Sequence, residues 1–157
     1  MFCSSWHASF SLSLSSNRVL AGPNAGGTLI LHETGLAYGA RGDTGSWCRQ
    51  GAALTSCQLA TTEVDDSSNT CRVWKVYAAF DTTASPRLKA MSFGITYDAY
   101  ESGGPLVLVD SGPCIGDEAN GAHEYDDHGW PGSGGGTVLV WETTQTSHLV
   151  EAYWFAG

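Results

Sequence analysis

Basic residues are scarce in this chain, and none follows Lys89. Seven Lys and Arg stand against 16 Asp and Glu, a formal net charge of −9. Nucleic-acid phosphates are held by Lys and Arg that release counterions, so this balance argues against nucleic acid as a partner. An anionic membrane surface is disfavoured for the same reason. No apolar run approaches the roughly 18 residues of a spanning helix, so no membrane span is expected. Charge of either sign is sparse as well, at 15%, against about 25% in an average domain. No stretch places apolar residues at a convincing helical spacing, which leaves little room for amphipathic helices.

The motifs of common chemistries are absent too. None of the five cysteines forms a C-x-x-C pair, which removes zinc-ribbon and thioredoxin-type spacings. No G-x-S-x-G elbow is present to carry a serine nucleophile. GSGGG at 132–136 lacks the Lys-Ser/Thr of a phosphate loop and reads as a flexible connection. The reading leans away from an enzyme, and no catalytic residue is assigned.

What is present is glycine, 20 of 157 residues, with abundant Ser and Thr. That composition suits short strands joined by polar turns. Expected strands cover 28–33, 57–64, 71–80, 87–98, 106–110, 137–142 and 148–155. In CRVWKVYAAF at 71–80, Trp74, Val76, Ala78 and Phe80 share one face, and Val73, Lys75 and Tyr77 share the other. Residues 112–136 read as one long irregular segment. The expectation is an all-β fold, an antiparallel β-sandwich of about eight strands with long Gly-rich loops. Residues 21–157 form a single sandwich domain. Residues 1–20 are either a degraded leader or an N-terminal strand, the latter suggested by Phe10, Leu12 and Leu14 alternating with serines. Leu106 to Val109 and Thr137 to Trp141 are apolar on both faces. Such strands call for a covering loop, an oligomer contact or a ligand surface.

The cysteines point outward from the cell. Low Lys content with Gly/Ser/Thr richness suits an oxidising compartment, hence a secreted or cell-surface location. The preferred pairing is Cys48 with Cys57, which bracket a short loop-like segment, and Cys71 with Cys114, leaving Cys3 over.

MSFGITYD at 91–98 resembles the core strand of cohesin-like and choice-of-anchor-like extracellular domains, through Phe93, Tyr97 and Asp98. A wider pattern is similar to uncharacterised secreted bacterial β-sandwich domains. It comprises AGPNAGGTLILH at 21–32, SFGITYD at 92–98, Cys114, GWPGSG at 129–134 and HLVEAYWFAG at 148–157. The resemblance spans residues 21–157. It implies an exported sandwich with no established activity.

Two candidate sites remain. His123, Glu124, Asp126, Asp127 and His128 form the densest set of potential ligands, suited to calcium or a divalent transition metal. Their H-E-x-x-x-H spacing is not the H-E-x-x-H of a zinc protease, and a solvated acidic loop is the competing reading. His32 could join them only if the fold brings it near. Trp130, in an irregular loop, could stack on a sugar ring or cap the sandwich. Asp65 to Asn69 reads as a hairpin tip, and Arg41-Gly42-Asp43 as a chance tripeptide. No cofactor is firmly implied. The functional expectation is a non-catalytic extracellular module that binds a protein or glycan partner or assembles into a homo-oligomer. A metal-binding domain or metal-dependent hydrolase and a carbohydrate-binding module are the alternatives.

Overall fold

The computed structural model describes residues 10–13, 22–39, 46–62, 70–99, 106–116 and 120–157. Its elements follow from period-two alternation. β3 (Arg72–Ala79) points Trp74, Val76 and Ala78 to one side and Val73, Lys75 and Tyr77 to the other, and from Val73 onward every residue is buried. A strand buried on both faces must lie between two covers, and β3 does. It sits inside a four-stranded antiparallel sheet of order β2-β3-β8-β5, built with β2 (Thr28–Ala37), β5 (Asp110–Pro113) and β8 (Leu149–Ala156). The second four-stranded sheet has the order β1-β4-β7-β6, from β1 (Phe10–Ser13), β4 (Leu88–Tyr97), β6 (His123–Asp126) and β7 (Gly136–Gln145). All the strand pairings in both sheets are antiparallel.

The two sheets share one core. Leu31, Trp74, Val76 and Phe155 come from one, and Phe93, Ile95, Leu139 and Trp141 from the other. Each such side chain, fully buried, contributes about 2–3 kcal/mol of transfer free energy. No α-helix occurs among the described residues. No helix there is long and apolar enough to cross a membrane. The expected antiparallel sandwich is the observed fold.

Four expectations need correction. The strand expected at 106–110 is not formed: Leu106 makes an isolated bridge to Ala99, and β5 begins only at Asp110. Residues 57–64 do not begin as a strand: Cys57–Leu59 is a short 3-10 turn, and all three residues are exposed. Thr-rich composition suggested extension, but no core-facing side chain holds this segment in a sheet. The segment 112–136 is not wholly irregular, because it contains the end of β5 and all of β6. Both are four-residue edge strands with few buried residues, which hides them from a hydrophobicity pattern. The cysteine pairing also differs. Cys48 joins Cys114, Cys57 is free and exposed, and Cys71 is disulfide-bonded. Proximity in sequence favoured Cys48 with Cys57, but the fold carries Cys48 to the end of β5, 66 residues on. Arg41 to Asp43 and Asp65 to Asn69 lie outside the described residues, as does most of the 1–20 segment.

The outer faces of the sheets differ. The segment 46–62 runs over the β2-β3-β8-β5 sheet and buries Trp47 and Leu54. A second, small core forms there from Trp47, Val73, Trp154 and Ala156, with Leu36, Tyr38, Val109 and the disulfide packed around it. The doubly apolar character of β3 and of Val109 is therefore satisfied by a covering loop. Nothing among the described residues covers the outer face of the β1-β4-β7-β6 sheet, where Ser92, Thr96, Tyr125, Val138 and Glu142 are exposed.

Candidate functional site

The ligand-rich stretch at 123–128 does not converge. His123, Glu124, Tyr125 and Asp126 occupy β6, where successive side chains leave opposite faces. Glu124 turns inward, and its Oε1 accepts a hydrogen bond from the Thr137 hydroxyl at 3.0 Å. Asp127 is a turn acceptor: its Oδ1 takes the Gly129 N–H and its Oδ2 the Gly136 N–H, both at 2.9 Å. His123, Asp126 and His128 are exposed. No three of these residues bring ligand atoms within 4.8 Å of one another. His32 lies on β2 in the other sheet, where its Nδ1 accepts the Thr61 N–H at 3.3 Å.

Trp130 caps the sandwich. Its ring meets Phe93, Tyr153 and Phe155 edge-on, with centroids 5.4, 5.3 and 5.5 Å away. Its indole N–H donates to the Tyr153 hydroxyl at 2.8 Å. The loop that carries it is tied down at several points. The Tyr97 hydroxyl donates to the Pro131 carbonyl at 3.2 Å, and Ser133 Oγ donates to the Tyr97 carbonyl at 2.7 Å. Burial, with Glu124 nearby, pushes the Tyr153 phenol well above its ordinary range. The ring and N–H of Trp130 are committed to the core.

The densest buried chemistry lies elsewhere, beneath the covering loop. Lys75 is 1% exposed on the outer face of β3. Its ammonium donates to Glu151 Oε1 at 2.8 Å and to the Gln50 carbonyl at 2.7 Å. A bulge in β8 aims Glu151 at it: the register passes from Val76–Tyr153 to Tyr77–Glu151 and skips Ala152. Glu151 Oε1 also accepts the Arg49 N–H at 2.9 Å. Arg49 holds φ at 61°, a left-handed conformation that costs a side-chain-bearing residue roughly 1 kcal/mol. The carboxylate thus holds the loop in an unfavourable backbone state. Tyr77 stands next to the pair, its hydroxyl buried near the Leu54 main chain without a well-formed hydrogen bond. Burial and the Glu151 charge push its phenol up to about 12.

Cys48, Cys114 and Glu151 have ligand atoms clustered closely enough for a metal, but both sulfurs are consumed by the Cys48–Cys114 bond. With no S–H left, the 3.5 Å approach of Cys114 Sγ to Glu151 Oε1 is a contact and not a hydrogen bond. A metal would require reduction first. On its solvent side Glu151 lines an open cleft of about 450 Å³, shared with the disulfide, Arg49, Gln145 and Ser147.

Sequence reasoning passed over Lys75 and Glu151. The signal was there: each is a lone charge inside an otherwise apolar strand, in VWKVY and LVEAY. A buried charge needs a partner, and these two strands are neighbours. Comparison of the chain with family models, with curated proteins and with solved structures gives no significant match.

Proposed function

We propose that this chain is a non-catalytic extracellular binding module that receives a basic protein partner on the open face of the β1-β4-β7-β6 sheet. The observation that carries this reading is the pair Tyr125–Val138. They are direct cross-strand neighbours on β6 and β7, 60% and 38% exposed. An exposed aromatic with an apolar neighbour on a flat sheet face supplies the centre of an interface. Glu142 is exposed on the outward side of β7 with Val138, while Asp126 leaves the opposite face of β6 and Asp127 is engaged by the Gly129 and Gly136 N–H groups. An outward carboxylate beside an apolar centre favours a partner that brings Lys or Arg, and the net charge of −9 would speed the encounter. Two copies of the same face would oppose carboxylate to carboxylate, so a different, basic partner is favoured over self-assembly. The disulfide supports an oxidising location.

Amide chemical-shift mapping with a Lys/Arg-rich peptide of about a dozen residues tests the reading. Perturbations are expected at 123–127 and 137–142, with affinity falling at least about tenfold in Tyr125→Ala. Perturbations spread evenly over all acidic surfaces, or an unchanged affinity in that variant, would refute it.

A further inference from the structure

We propose a second binding site, in the cleft beside the Cys48–Cys114 disulfide, for an uncharged ligand bearing adjacent hydroxyls, a neutral sugar ring. It shares no residue with the Tyr125–Val138 centre of the partner face.

The argument starts from Glu151. Its Oε1 is fully engaged, by Lys75 at 2.8 Å and the Arg49 N–H at 2.9 Å. No hydrogen bond from a described residue reaches its Oε2, and the residue lines the cleft. The carboxylate is therefore locked in orientation with one acceptor open. Held this way, it loses little freedom when a ligand hydroxyl donates to it. Gln145 adds a second acceptor: its amide nitrogen donates to the Thr143 carbonyl at 2.8 Å, which leaves Oε1 available. Donors are present as well. Ser147 lines the cleft, and among the described residues no hydrogen bond uses its hydroxyl. Arg49 also lines it, and its exposed side chain meets no carboxylate among the described residues.

Charge selects the ligand further. The two charged residues that line the cleft, Arg49 and Glu151, are of opposite sign. With charges that cancel, neither an anion nor a cation gains a net attraction. What fits is a group that donates and accepts at adjacent positions, and a hydroxyl does both. The volume, about 450 Å³, lies inside the roughly 300–1,000 Å³ span of small-molecule clefts. The disulfide forms part of the wall, so the site depends on it.

Saturation-transfer NMR and calorimetry with the methyl glycosides of glucose, galactose and mannose test this, with glucosamine and glucuronate as charged controls. At least one neutral glycoside should bind at millimolar concentration, about tenfold more tightly than both charged sugars. Gln145→Ala with Ser147→Ala should abolish the signal, and Tyr125→Ala should leave it intact. Glu151→Gln should weaken binding too; where that variant fails to fold, the Gln145/Ser147 double variant carries the test. Silence from all three neutral glycosides, a preference for a charged sugar, or binding that survives the double variant would overturn the site. Loss in Tyr125→Ala would place the sugar on the partner face instead, and overturns it equally.

Discussion

The two sheets of this sandwich share one core and differ in what lies outside it. Over the β2-β3-β8-β5 sheet, the 46–62 segment shuts in Trp47, a Lys–Glu pair and a disulfide. Over the β1-β4-β7-β6 sheet the described residues place nothing, and serines, threonines, carboxylates and one exposed Tyr–Val pair face water. The contrast separates two uses of polar groups. On the covered side the buried charges of Lys75 and Glu151 are fixed partners and hold the loop in one register. On the open side Glu124 and Asp127 are tied locally, while Asp126 and Glu142 are exposed and put charge on the sheet that blunts pairing with another strand edge. Stability should therefore respond to changes on the covered side, and binding of the basic partner to changes on the open side.

The largest test is the disulfide. It closes a loop of 66 residues, for which chain entropy gives about 4 kcal/mol. Cys48→Ser with Cys114→Ser should lower unfolding free energy by about that amount in urea titration, and free the segment 46–62 to proteolysis. A loss below about 1 kcal/mol would mean that the loop packs well without its staple. Trp130→Ala should cost about 3 kcal/mol, as a core truncation does, and should not change sugar retention.

Lys75→Met should also cost about 3 kcal/mol, because it leaves the Glu151 carboxylate partly buried and unpaired. Adding Glu151→Leu should restore most of that loss. Full restoration with an unchanged proteolysis pattern would show that the pair adds nothing to loop register, and would weaken the contrast between the sheets. Tyr77 gives a pH signature on the same side. Its phenol lies at about 12 in the fold against an ordinary 10.0. The unfolded chain thus releases this proton first as pH rises. The resulting stability is complete below pH 10 and is lost as pH climbs from 10 through 12. Tyr77→Phe should flatten that part of the urea-midpoint profile.

How much of this was legible in the sequence depends on which side is asked about. The sandwich was legible, since period-two alternation in β3, β4 and β8 is strong and their inner residues are large. The covering loop was legible only as a need: doubly apolar strands demand a cover, but Trp47 sits among glycines with no periodicity to show where it packs. The edge strands β5 and β6 were not legible, because their backbone hydrogen bonds to a neighbour define them and their side chains do not. The ligand-rich stretch misled for a related reason. Six adjacent polar residues look like a site in one dimension, yet a strand sends neighbours to opposite faces, and a turn consumed Asp127. Cys48–Cys114 illustrates the same limit, since a contact across 66 residues leaves no local trace.

The smallest expected effect is on the open face. Tyr125 and Val138 oppose each other across β6 and β7, and a cross-strand aromatic–aliphatic pair is worth roughly 0.2–1 kcal/mol. A double-mutant cycle on Tyr125→Ala and Val138→Ala should give a coupling within that span, with each single change costing less than about 1 kcal/mol. The free protein would then lose little by surrendering either side chain, and Tyr125 would owe its place to what it meets in a complex. A coupling several times larger would instead make the pair a structural support of the β6 edge. The open face would lose its centre, and the division of labour between the sheets would fail on that side.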